Sequence, residues 1–178
     1  MIISRISRVV TSACLLSAAV LVAAPAAAQM SAPATLQTAL ANDAGTLSDK
    51  FTGLAKAMAG KYDWKPGQGV RSVGDVFNLI VAENKILTSV LTGGAPPPRP
   101  APITDPAQVQ EALTSSYAAL KTALSGLSDT DLAAKVKIFG MDSTKQGAAM
   151  MLLSDQHEHL GQSIAYARSN GVVPPWSK

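Results

Sequence analysis

Between two segments of helical periodicity the chain carries Gly93-Gly94-Ala95-Pro96-Pro97-Pro98-Arg99-Pro100-Ala101-Pro102, and this linker restricts the fold more than any other stretch. Proline removes a backbone donor and fixes its own φ, so the run is neither helix interior nor central strand. A proline-rich chain advances about 3.1 Å per residue, so ten residues reach about 30 Å. A helix of about 20 residues is equally long. The linker can therefore return along a whole helix, leaving the next helix parallel to the one before it. The expected architecture is all-α: a four-helix bundle with one long crossover between helices 2 and 3, not a simple up-down-up-down arrangement.

The helices themselves are read from apolar spacing. From Ala34 to Ala59, Leu36, Leu40, Leu47, Phe51, Leu54 and Met58 recur at threes, fours and sevens, the pattern of an amphipathic helix. Gly60 to Val70 holds three glycines and Pro66 and reads as a turn. Ser72 with Asp75 three residues later resembles a capping box opening a second helix, Val73 to Leu91. Asp105-Pro106 caps and opens a third, with Val109, Leu113, Tyr117, Leu120 and Leu124 inward and Gly126 at its end. Residues 127 to 143 are expected to connect, with a short helix around Asp131 to Val136. A fourth helix runs from about Thr144 to Asn170 and is closed by Gly171. No period-two alternation is long enough to predict a sheet.

Residues 1–28 read as a secretory signal peptide: Arg5 and Arg8, then an uncharged apolar stretch from Val9, then Pro25 and Ala26-Ala27-Ala28. The expectation is export by a Sec-type pathway to a periplasmic or secreted location, with residues 29–178 as one domain and no stable membrane span after cleavage. An uncleaved anchor is the alternative. The leader takes with it two of the 15 basic residues and none of the 12 acidic ones, so the remainder is close to neutral. Its cations are scattered singly, which gives nucleic-acid binding no electrostatic support. Cys14, the single cysteine, lies in the leader, so the mature chain offers no disulfide, thiol nucleophile or thiolate ligand.

Both histidines fall in one stretch, Asp155-Gln156-His157-Glu158-His159-Leu160-Gly161-Gln162. Asp155 and His159 are one helical turn apart and project from one face; Gln162 and Tyr166 continue it. His157 is about 200° round the helix from His159 and is expected to be exposed. Other candidates fail on spacing. Ser72, Ser154 and Ser163 have no histidine base placed for them, and Gly67-Gln68-Gly69 is not a phosphate loop. Met141, Met150 and Met151 read as flexible core filler. Trp64 and Trp176 are expected to pin the ends of the bundle.

Two stretches carry a family resemblance. Trp64-Lys65-Pro66 followed by Val70-Arg71-Ser72-Val73-Gly74-Asp75-Val76, and Glu158-His159-Leu160-Gly161-Gln162 with Tyr166-Ala167-Arg168 and Gly171-Val172-Val173-Pro174-Pro175, are similar in order and separation to the DinB-like (damage-inducible) superfamily. The resemblance covers the mature length and implies an up-down-down-up bundle. It also implies a divalent metal, often zinc or nickel, on one histidine of helix 2 and two of helix 4 spaced four apart. Residue by residue, His159 matches the last of these, Asp155 stands where the other helix-4 histidine is expected, and the helix-2 position falls on Leu79.

Asp155 is a competent ligand, and Glu83 lies one turn beyond Leu79 on the same face of helix 2. Together with His159 they would form a two-carboxylate, one-histidine set with open positions. Leu79, Gln162 and Tyr166 are then expected to line the pocket. Because Leu79 has no lone pair, the favoured expectation is a non-catalytic binding or scaffold protein with a decayed metal site and an unknown small ligand. The alternative is a metal-dependent hydrolase or thiol-transferase-like enzyme with a rebuilt Glu83–Asp155–His159 site. The cofactor is accordingly none, or one divalent metal (zinc, nickel or manganese). A third reading is a structural envelope protein, oligomeric through apolar helix faces, and a homodimer is compatible with any of these.

Overall fold

The protein is described from a computed structural model over residues 34–177; the expected leader lies outside the described residues. Five helices, α1 (Leu36–Ala57), α2 (Val73–Thr92), α3 (Pro106–Ser125), α4 (Asp129–Ala133) and α5 (Lys145–Ser169), are joined by one short hairpin, β1 (Lys135–Ile138) and β2 (Met141–Thr144). The ends of the four long helices follow the sequence. Ser72 Oγ accepts from the Asp75 amide while Asp75 accepts from the Ser72 amide, completing the capping box. Asp105 caps α3 with Pro106 in its first turn, and Thr144 caps α5. Gly93 and Gly171 take left-handed backbone just past α2 and α5 (φ 82° and 69°), as glycine does at little steric cost.

Each of α1 and α2 packs against both α3 and α5, so α1 faces α2 across the bundle and α3 faces α5. Residue pairs fix the directions. Asn84 meets Ser116, and further along Thr88 and Thr92 share a cleft with Ala119 and Thr122, so α2 and α3 run parallel. Asn84 meets Gln156 while Arg71 meets Tyr166, so α5 opposes α2. Asp43 meets His157 and Lys50 meets Trp176, so α5 follows α1. Gly45 lies against Lys121 while Phe51 stacks near Tyr117, so α3 opposes α1. The result is up-down-down-up, with the proline-rich linker as the crossover. The Asn78 side chain grips the end of that linker, donating to the Ile103 carbonyl (2.9 Å) and accepting from the Ile103 amide (2.8 Å).

Leu47, Phe51, Leu54, Val76, Phe77, Ile80, Leu87, Leu113, Tyr117, Leu120 and Leu124 are all at most 1 % exposed and form the centre of the core. Phe77 meets Phe51 and Tyr62 edge-on (6.4 and 5.5 Å), and Phe51 stacks on Tyr117 (6.4 Å).

The connection between α3 and α5 differs from expectation. Its helix is α4, two residues earlier than expected, and Lys135 to Thr144 form an antiparallel hairpin paired Lys135↔Thr144 through Ile138↔Met141. Lys135-Val136-Lys137-Ile138 does alternate, outward and inward, but for four residues only. The methionine expectation is also corrected. Met141 on the hairpin and Met150 on α5 are exposed, and only Met151 is partly buried against the core. Trp64 does pack on a helix end, edge-on to Tyr166 at 5.3 Å. Trp176 is 39 % exposed, with Lys50 over its ring. No helix among the described residues is long and apolar enough to cross a membrane.

Candidate metal centre

The site is built where α2 and α5 run antiparallel. Residues 80–84 of α2 are buried without interruption, because α3 covers one flank of the helix and α5 the other. Glu83 falls inside that run and is only 5 % exposed. On α5, Asp155 and His159 stand one turn apart, with 3.6 Å between His159 Nε2 and Asp155 Oδ2. One ligand atom from each of Glu83, Asp155 and His159 lies within 4.8 Å of the other two. The His159 side chain is 16 % exposed and that of Asp155 is 43 % exposed, so the cluster has a buried floor and an open side.

A chain of hydrogen bonds fixes which nitrogen of His159 is free. The Arg71 carbonyl can only accept, so the Tyr166 hydroxyl donates to it (3.2 Å). Tyr166 must then accept from Gln162 Nε2 (2.8 Å), which turns Gln162 Oε1 toward His159 Nδ1 (2.8 Å). An amide oxygen accepts, so Nδ1 carries the proton and Nε2 keeps its lone pair on the side of Asp155. Gln162 and Tyr166, expected as pocket lining, serve here as the support of His159. Leu79 is half-buried.

Burial pushes the Glu83 carboxyl up to about 8, reinforced by proton sharing with Asp155 and by that group's negative charge. The Gln156 amide and the positive charge of Arg71 pull the other way. At neutral pH the metal-free carboxyl therefore holds a proton between two acidic groups. Its Oε2 is buried and has no hydrogen-bond partner. Buried polar atoms are seldom left so, and the orphan lies in the same cluster as a second carboxylate and an imidazole lone pair. The donor set fits a divalent cation such as zinc, manganese or iron.

Beneath the site lies a polar network that sequence reasoning missed. Tyr117 donates to Gln156 Oε1 (2.9 Å), Gln156 Nε2 donates to Asn84 Oδ1 (2.9 Å), and Asn84 donates to Ser116 Oγ (3.1 Å). Asn84 and Gln156 are fully buried. Asn84 continues the Ile80–Leu87–Leu91 stripe, and Gln156 lies between Leu152 and Leu160. A polar residue at an apolar-periodic position was the available signal. His157 is exposed, as expected, and is not isolated: its Nε2 lies 2.9 Å from Asp43 Oδ1 on α1.

A crossover-linked bundle with a carboxylate-and-imidazole cluster between α2 and α5 defines the class: helical-bundle proteins with a metal-ligand set between facing helices. Residues 24–163 match the family model of the DinB superfamily, and the chain belongs to that superfamily. A DinB-like protein from Bacillus cereus is similar in fold, with TM-score 0.67 and 17 % identity over 78 % of this chain and 95 % of the other. A DinB-like protein from Bacillus subtilis is similar with TM-score 0.62 and 16 % identity over 75 % and 92 %. No curated protein matches the chain.

Proposed function

We propose that this chain holds one divalent metal on Glu83, Asp155 and His159 and acts as a metal-dependent enzyme, of hydrolase or thiol-transferase type. One observation carries the proposal: the three ligand atoms converge, and the Glu83 oxygen among them is buried without a partner. A site that had only decayed would have no reason to keep an acidic group 5 % exposed in the bundle interior beside a second carboxyl, because an uncompensated buried charge is costly. This favours the rebuilt site over the decayed one, although Leu79 occupies the position where the family resemblance implies a helix-2 histidine.

Three protein ligands leave coordination positions free, and a metal held there supplies Lewis acidity to a water or a thiol. The chain's own groups do the rest. Gln162 and Tyr166 hold His159 in the tautomer that presents Nε2. Glu83 releases its proton when it becomes a ligand, or keeps the capacity to accept one near neutral pH. Asp155 faces the open side, where a substrate would approach. The first 28 residues support export to a periplasmic or secreted location as part of the same proposal.

Metal content tests it. The chain, purified without a histidine tag, is expected to carry near-stoichiometric metal after incubation with zinc, nickel or manganese. An Asp155→Ala, His159→Ala double variant should lose that metal while remaining helical. Absence of metal from both proteins after loading would restore the decayed-site reading.

A further inference from the structure

Arg71 plays no part in the proposed metal centre, yet the fold fixes it beside that centre. Its carbonyl terminates the hydrogen-bond chain from His159 through Gln162 and Tyr166. On its C-terminal side Ser72 caps α2, and the amides of Val73 and Gly74 bind the carbonyls of Trp64 and Tyr62 (both 2.9 Å). Gly74 is pressed so close that an added Cβ would stand 3.3 Å from the Tyr62 carbonyl oxygen. The backbone at Arg71 is thus rigid on both sides, while the residue itself is exposed. Among the described residues its guanidinium has no ion-pair partner. Arg71 is also the one cation whose charge lowers the proton affinity of Glu83, which sets its charged end on the α2–α5 side of the loop.

We infer that Arg71 is an oxyanion subsite. A small molecule docks a carboxylate or phosphate group on its guanidinium and presents its other end to Glu83, Asp155 and His159. The reading rests on the metal centre proposed above and names the class of its substrate. A guanidinium suits the task because its planar fork can hold two oxygens of either group at once. An arginine on pinned backbone also gives up little freedom on binding. The opposite charges of Asp155 and Arg71 would orient the molecule, repelling its anionic end from the carboxylates.

The test uses the cobalt(II)-loaded chain, whose visible spectrum reports the metal, titrated separately with acetate and inorganic phosphate. Arg71→Ala is expected to bind cobalt as the wild type does, with affinity for the preferred anion reduced about tenfold or more, the loss of a charge-assisted pair of hydrogen bonds. Arg71→Lys should recover part of it, and the tighter anion in the wild type identifies the group. If loaded Arg71→Ala binds both anions as tightly as the wild type, or if the loaded wild type binds neither at millimolar concentration, the subsite is overturned and the metal centre stands. If the wild type takes up no cobalt, both are overturned.

Discussion

Three hydrogen bonds away from His159, the backbone carbonyl of Arg71 decides which imidazole nitrogen carries a proton, because each group in the chain has only one role left once its neighbour's is fixed. A supporting partner of this kind typically changes metal affinity about 10–100-fold. Gln162→Leu should therefore weaken zinc binding by that order, read by competition against a chelating indicator, with the circular dichroism spectrum unchanged. Unaltered affinity would mean that His159 needs no support. The shared face of Asp155, His159, Gln162 and Tyr166 was legible from spacing alone, and Glu83 followed from one helical turn beyond Leu79. The acceptor on Arg71 was not legible, since it lies in a loop where no periodicity connects residues 71 and 166. Nor was the burial of Gln156, because a polar residue inside an apolar stripe does not announce which partners satisfy it.

At the level of elements, the linker was informative because its length could be compared with a helix: proline stiffness turns ten residues into a distance. The hairpin was opaque for the opposite reason. Its alternation lasts four residues, and its tip carries Phe139 at φ 51° followed by Gly140 at φ 80°. Two consecutive positive φ values are those of a tight hairpin turn, which favours Asn or Asp before Gly. A phenylalanine there gives no turn signal and stores strain, since left-handed backbone costs an L-residue about 1–2 kcal/mol. The ring is 59 % exposed and does not offset that cost by burial. Phe139→Asn is accordingly expected to stabilise the protein by about 1 kcal/mol, measured as a higher urea midpoint at unchanged slope. A lower midpoint would show that the ring does more than sit at the surface.

Across the whole molecule, α3 and α5 face each other over a core that is apolar except for one band, where Tyr117, Gln156, Asn84 and Ser116 satisfy one another beneath Glu83. Burial holds the Tyr117 hydroxyl far above its usual range, so that band stays uncharged and Glu83 is its titrating neighbour. The carboxyl that titrates at about 8 in the folded chain has an ordinary value of 4.5, so between these limits the folded state holds a proton that the unfolded state has released. Stability of the metal-free protein then falls as pH rises, because the unfolded state binds fewer protons. The contribution is fully present below about 4.5 and is lost as pH approaches 8, with a limiting slope of about 1.4 kcal/mol per pH unit for one proton. Asp75 and Asp131 are shifted the opposite way, below 3.8, by their capping bonds to Ser72 and Ser128, and their effect lies at more acidic pH. Other groups that titrate in the same window cancel when the wild type is compared with Glu83→Gln, which keeps the shape of the protonated acid and cannot ionise. Urea unfolding of both proteins in chelator from pH 5 to 8.5 should show the wild type losing stability relative to the variant at every step. Added zinc should reverse the trend for the wild type alone, since the metal takes the place of the proton. Parallel curves for the two metal-free proteins would mean that Glu83 titrates as it does in the unfolded chain, and that the bundle does not bury its charge.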